Sequence, residues 1–149
     1  MKTWVVYDSV HGNTEKIAQA IGAAIGADVP VVRVSEVDLS KLESVDLLIA
    51  GAPTYGGRPR EPMQDWLNQI PAGALQGKHV AAFDTRIGAF WVRIFGFAAG
   101  KIARSLEQKG GKLTMPGEGF IVMGGEGPLK EGELERAANW AKEVLAAAQ

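Results

Sequence analysis

The residues Ser9-Val10-His11-Gly12-Asn13-Thr14 put two hydroxyls, an amide, an imidazole and a glycine directly ahead of a stretch with helical apolar spacing. That combination suits an anion. A helix start leaves backbone N–H groups without intrahelical acceptors and carries the positive end of the helix dipole, so it favours a phosphate. Ser9 and Thr14 can donate hydroxyl hydrogen bonds, Gly12 lets the backbone approach closely, and Asn13 has the side chain of a helix cap. His11 offers one donor when neutral and a positive charge when protonated. The loop holds no Lys or Arg, so a phosphate monoester there would rest on neutral donors. It lacks the Gly-Lys-Ser/Thr ending of a Walker loop and the Gly-x-Gly-x-x-Gly spacing of a dinucleotide fingerprint. Taken alone, such a short motif equally describes a turn and a helix cap.

Other chemistries find less support. His11 and His79 are the two histidines, and no paired carboxylates accompany them at ligand spacing, so no metal site is expected. The absence of cysteine excludes disulfides, thiolate metal sites, iron–sulfur clusters and a cysteine nucleophile. A phosphoryl-accepting receiver domain needs an acidic pocket after its first strand and an Asp at the end of its third. Here Asp8 stands alone and the third apolar run ends Gly51-Ala52-Pro53.

The elements that must position the loop follow from periodicity. Thr3–Tyr7 is continuously apolar and β-branched or aromatic, as a strand buried on both faces should be. Ile17, Ala18, Ile21, Ala24 and Ile25 then recur at helical spacing. Val29–Val34 is a second strand, pushed toward a sheet edge or strand start by Pro30. Asp38–Glu43 has room for a short helix, and Asp46–Gly51 forms a third strand. Pro62 suits the first turn of a helix that turns Met63, Trp66, Leu67 and Ile70 inward. The strand His79–Phe83 precedes a loop and a helix with Ala99, Ile102, Ala103 and Leu106 inward, stopped by Gly110-Gly111. Gly119–Met123 supplies a fifth strand, and Glu131–Ala148 a helix with Leu134, Ala138, Ala141 and Leu145 inward. Alternating strands and helices imply an α/β fold, a parallel sheet covered on both faces. At 149 residues the chain suits one domain, residues 1–149.

Element order and loop motif together resemble the short-chain flavodoxin family, whose phosphate loop is usually written Ser/Thr-x-Thr-Gly-x-Thr. His11 departs from that pattern, where Thr or Ser is usual. The resemblance implies a doubly wound five-stranded parallel sheet in the order 2-1-3-4-5, a three-layer α/β/α sandwich with no sizeable insertion in the last strand. It implies FMN as cofactor, with its phosphate on Ser9, Val10, His11, Gly12, Asn13 and Thr14. In such sheets ligands lie beyond the carboxyl ends of the strands, where the strand order reverses. The family lays its flavin ring on the loop after the third strand, here Pro53-Thr54-Tyr55-Gly56-Gly57, with Tyr55 as the stacking residue. A peptide of that loop can flip to offer its carbonyl to the reduced ring, and Gly56 or Gly57 makes the flip cheap. After the fourth strand, Asp84, Thr85 and Arg86 would face the pyrimidine side, and Phe90 or Trp91 would form a second aromatic wall.

The function so implied is electron transfer between redox partner proteins, with no catalytic side chain required and the chemistry left to the cofactor. The alternative is an oxidoreductase enzyme on the same fold, a quinone reductase or a protoporphyrinogen-oxidase-like protein, with the apolar Ile87–Phe97 stretch as part of its substrate site. A net charge of −1 gives no basic footprint for nucleic acid. No apolar stretch reaches the roughly 20 residues of a membrane helix, and no signal peptide is apparent, so a cytoplasmic protein is expected. Family members that shuttle low-potential electrons are usually strongly acidic. Here Arg58, Arg60, Arg86 and Arg93 fall in the flavin loops, and Arg86 is expected to favour the anionic reduced ring unless it pairs with Asp84.

Overall fold

The computed structural model describes residues 1–88 and 97–149, so Phe90, Trp91 and Arg93 lie outside the described residues. The first strand, β1 (Thr3–Tyr7), is buried along its whole length. It pairs in parallel with β2 (Val31–Arg33) on one side and β3 (Leu47–Pro53) on the other, with Val5 opposite both Val31 and Ile49. Beyond β3 lies β4 (His79–Ile87), again parallel, with Ile49 opposite Ala81. The outer edge is shared by β5 (Lys112–Leu113) and β6 (Glu118–Val122), which pair with successive halves of β4. The sheet order is therefore the 2-1-3-4-5 arrangement, with the fifth position split into two segments. Thr114 still donates its N–H to the Val80 carbonyl at 3.0 Å, and Met115–Gly117 separate the two segments.

Helices α1 (Asn13–Ile25) and α4 (Glu133–Ala147) cover one face; α2 (Glu61–Gln69) and α3 (Ala98–Gln108) cover the other. Strand residues alternate between the two cores, Val5, Ile49 and Phe83 facing α1 and α4, Val6, Leu48 and Ala82 facing α2 and α3. In the first core Phe83, Phe120 and Trp140 meet edge to face, with ring centroids 6.0 to 6.3 Å apart. Gly51 is needed at the centre of the sheet because a Cβ there would run into the Phe83 ring.

Three local expectations change. β2 begins only at Val31, because Pro30 has no N–H to give the ladder; its carbonyl accepts the Val5 N–H at 3.0 Å. The short helix falls at Leu39–Ser44 and is of the 3-10 kind, capped by the Asp38 carboxylate, which accepts from the Ser40 N–H at 3.0 Å. The inward stripe of α4 is Ala137, Trp140, Ala141 and Val144, while Leu134 is exposed and Ala138 and Leu145 are half-buried. Trp140 sets that rotation. Its ring is the largest apolar group on the helix, and turning Leu134 and Ala138 inward would turn it out.

Candidate functional site

The carboxyl ends of β1, β3 and β4 open into one cleft, together with the end of β6. Of the residues named from the sequence, Ser9, Val10, His11, Asn13, Thr14, Pro53, Thr54, Tyr55, Gly56, Thr85 and Arg86 line it, while Gly12, Gly57 and Asp84 do not; Ile87, Val122 and Gly125 complete the lining. The space enclosed is about 170 Å³. Val122 and Gly125 were not anticipated. Asn13 explains their presence, since its side-chain N–H donates to the Glu126 carbonyl at 3.1 Å and holds the loop after β6 against α1.

At the phosphate loop, Ser9 Oγ accepts the N–H groups of Gly12, at 3.1 Å, and Glu15, at 3.4 Å. It folds the turn and keeps its own hydroxyl proton available. The N–H groups of Val10, His11, Asn13 and Thr14 have no acceptor among the described residues. Gly12, not Asn13, occupies the cap position, at φ +89° in the left-handed region that costs other residues strain. Asn13 is the first helical residue, and its amide is spent on Glu126. Thr14 and Thr85 are both buried and share a hydroxyl hydrogen bond of 2.8 Å, which ties α1 to β4 at the floor of the cleft.

After β3, Tyr55 and Arg58 close a two-residue turn through N–H···O bonds of 2.8 and 3.1 Å. Gly56 and Gly57 sit at φ +56° and +78°, the mirror-image geometry that glycine pairs supply in tight turns. Gly56 faces the cleft. Gly57 is buried away from it, with its carbonyl accepting from Lys101 Nζ at 2.7 Å.

The residues read as a loop after the fourth strand are in fact part of β4. Asp84, Thr85 and Arg86 pair with Gly119, Phe120 and Ile121, because β6 extends the ladder to Ile87. Asp84 and Arg86, two apart in a strand, point to the same face. The guanidinium grips the carboxylate through two bonds of 2.7 Å, stacks over the Phe97 ring at 3.4 Å and lies against the bare backbone of Gly119. Asp84 is fully buried beneath the cleft and does not line it. Burial pushes its carboxyl above the usual range, against the opposing pull of Arg86, the Ala99 N–H and Thr54. Arg60 likewise pairs with Asp8, not Glu61, through bonds of 3.0 and 2.7 Å. Asp8, which stands alone in the sequence, is thus a buried carboxylate paired with a half-buried arginine.

The cleft suits a group with a phosphate at one end and a flat apolar body at the other. Neutral donors converge at its base, while Val10, Tyr55 and Ile87 leave 46%, 41% and 41% of their surface exposed along it. Lone apolar side chains are commonplace at a surface, but three on one cleft mark a face to be covered. The flavodoxin family pattern matches residues 5–140. The chain belongs to the flavodoxin family. The flavodoxin of Clostridium beijerinckii is 32% identical over 130 residues, covering 84% of this chain and 82% of the relative. A quinone-reducing NAD(P)H dehydrogenase of Acidovorax ebreus is 36% identical over a shorter stretch, 55% of this chain and 54% of its own length. Among solved structures, an archaeal flavodoxin superposes with a TM-score of 0.83 at 25% identity, covering 99% of both chains. Oxidised flavodoxin 2 from Bacillus cereus also gives 0.83, at 26% identity over 98% of this chain and 99% of that one. As a flavodoxin the chain is an FMN-binding electron-transfer protein. No helix among the described residues is long and apolar enough to cross a membrane.

Proposed function

We propose that this flavodoxin seats the FMN phosphate on the Ser9–Thr14 loop and carries electrons between larger redox proteins in the cytoplasm. The N–H groups of Val10, His11, Asn13 and Thr14 at the start of α1, which meet no acceptor among the described residues, carry the reading, because four such neutral donors suit a phosphate monoester. FMN supplies the redox chemistry when bound. The chain's own residues bind and orient. Ser9 and Thr14 offer hydroxyls, Tyr55 offers a flat face beside the cleft, and Thr54 and Gly56 shape the wall between them. The buried carboxylates of Asp84 and Asp8 pair with Arg86 and Arg60 and so offset those two cations.

The test is a titration of the flavin-free chain with FMN, followed by quenching of flavin fluorescence and then by stepwise reduction under anaerobic conditions. Binding at or below micromolar concentration with two resolved one-electron steps is expected. No binding at micromolar FMN refutes the reading. Direct turnover of a nicotinamide and a quinone would replace the carrier with an enzyme.

A further inference from the structure

The turn after β3 is fastened to the start of α3 from behind. Thr54 Oγ1 accepts the Ala98 N–H at 3.1 Å, and the Thr54 N–H donates to the Thr85 carbonyl at 3.0 Å. Three residues further on, Lys101 reaches out of the first turn of α3 and donates from Nζ to the Gly57 carbonyl at 2.7 Å. Gly57 has no side chain to anchor it, and both central residues of the turn have the backbone freedom of glycine. Among the described residues, Lys101 is the donor that the Gly57 carbonyl receives. A hydrogen bond from an ammonium is stronger than one between neutral groups, though solvent around this exposed lysine reduces its worth.

We propose that Lys101 is a positioning residue whose ammonium pins the Gly57 carbonyl, so that the rear of the Tyr55–Arg58 turn is fixed and the peptide at Gly56 is left as the movable part facing the cleft. The role follows from the two faces of the turn. Gly56 lines the cleft and is exposed, whereas Gly57 is buried and bonded on the opposite side. A glycine pair without the tether would let both peptides rotate, and the preference of the turn for one redox state over another would be spread over more conformations. This proposal rests on the FMN reading for its redox consequence but not for the tether itself.

The test compares Lys101→Met, which removes both charge and donor, with Lys101→Arg, which keeps both. Arg104→Met serves as control, removing a cation three residues along the same helix from an exposed position. Backbone 15N relaxation is measured on the chain with and without FMN, and the two one-electron potentials are measured on the loaded protein. In Lys101→Met the order parameters of Gly57 and Arg58 should fall from about 0.85 toward 0.6. The ratio of the two one-electron equilibrium constants should shift at least about threefold, the lower end of a charge-assisted hydrogen bond after screening. Lys101→Arg should restore both readouts in large part, and Arg104→Met should leave both near wild type. Equal potential shifts in Lys101→Met and Arg104→Met with unchanged relaxation would overturn the proposal, making Lys101 a surface charge only. Loosened relaxation with an unchanged ratio would overturn the redox role. If the wild-type chain bound no FMN, the functional reading would fail, and relaxation of the flavin-free protein would still decide the tether.

Discussion

Replacing Asp84 with Asn tests the charge balance under the cleft most directly. The substitution keeps the shape and retains an acceptor for the Ala99 N–H, now 2.9 Å from Oδ2. It removes the two charge-assisted bonds to Arg86, each 2.7 Å. Truncating one partner of a buried pair typically costs about 3–5 kcal/mol. Here the Arg86 side chain keeps 20% exposure and its stack on Phe97, so it is partly solvated after the change. A loss of about 2–3 kcal/mol is expected. With a urea m-value of about 1.5 kcal/mol/M, the midpoint should fall by about 1.3–2 M. The pH dependence gives a second check. Burial raises the Asp84 carboxyl in the folded state, so the folded protein binds a proton more readily than the unfolded chain. Wild-type stability therefore gains from Asp84 as pH falls from the raised folded value toward the ordinary value of 3.8, and the Asn variant lacks that gain. The gap between wild type and variant should accordingly widen toward acid pH. The redox effect has a definite sign as well. Arg86 lines the cleft and would stand uncompensated, and a unit charge at about 10 Å in an effective dielectric of about 30 is worth about 1 kcal/mol. That is about 40 mV for one electron. The second one-electron potential should rise in Asp84→Asn and fall in Arg86→Met. Shifts of the same sign in the two variants, or no change in the urea midpoint of Asp84→Asn, would refute the reasoning.

Thr14→Val removes a hydroxyl from the cleft floor and leaves Thr85 without its 2.8 Å partner; FMN affinity should fall on the order of tenfold in a fluorescence titration. Gly51→Ala places a methyl against the Phe83 ring in the middle of the sheet, and urea unfolding should show a loss of about 2–3 kcal/mol. Glu133→Gln should matter least in acid. The Arg136 guanidinium and the Ile121 N–H hold the Glu133 carboxyl below its ordinary 4.5, so its stabilisation is complete above about that pH and fades as pH falls through the lowered folded value. Thermal unfolding of the variant and wild type should therefore differ near neutrality and converge in acid.

The sequence was most readable where a segment is buried evenly or along one stripe. Thr3–Tyr7 is apolar at every position and forms β1 with those bounds, and Met63, Trp66 and Leu67 mark the inner side of α2 as spaced. The reading of β4 stopped early because Asp84 and Arg86 look like loop residues until their mutual neutralisation is seen. That pairing needs β6 beside them, which is a long-range fact. The same holds for Val122 and Gly125 at the cleft. The glycine pair Gly124-Gly125 after the last strand was the available signal, since every parallel strand ends at the same edge of the sheet. Asn13 has the composition of a cap, but its amide is diverted to a carbonyl more than a hundred residues away. Local preference lost there to a tertiary contact.

The two cores differ in when they can close during synthesis. The core under α2 and α3 draws on elements complete by Gln108, apart from the half-buried Leu113 packed beside it. The core under α1 and α4 joins the first helix to the last, with Ile17 and Ile21 sharing a cluster with Trp140 and Val144. Until α4 is made, that face of the sheet is covered by α1 alone, and the side of Phe83 that meets Trp140 lacks its partner. A chain cut before residue 133 should accordingly expose apolar surface on that face, which binding of a hydrophobic dye would report. The core that joins Ile17 and Ile21 to Trp140 and Val144 is thus the one that must wait for Glu133–Ala147 before it can close.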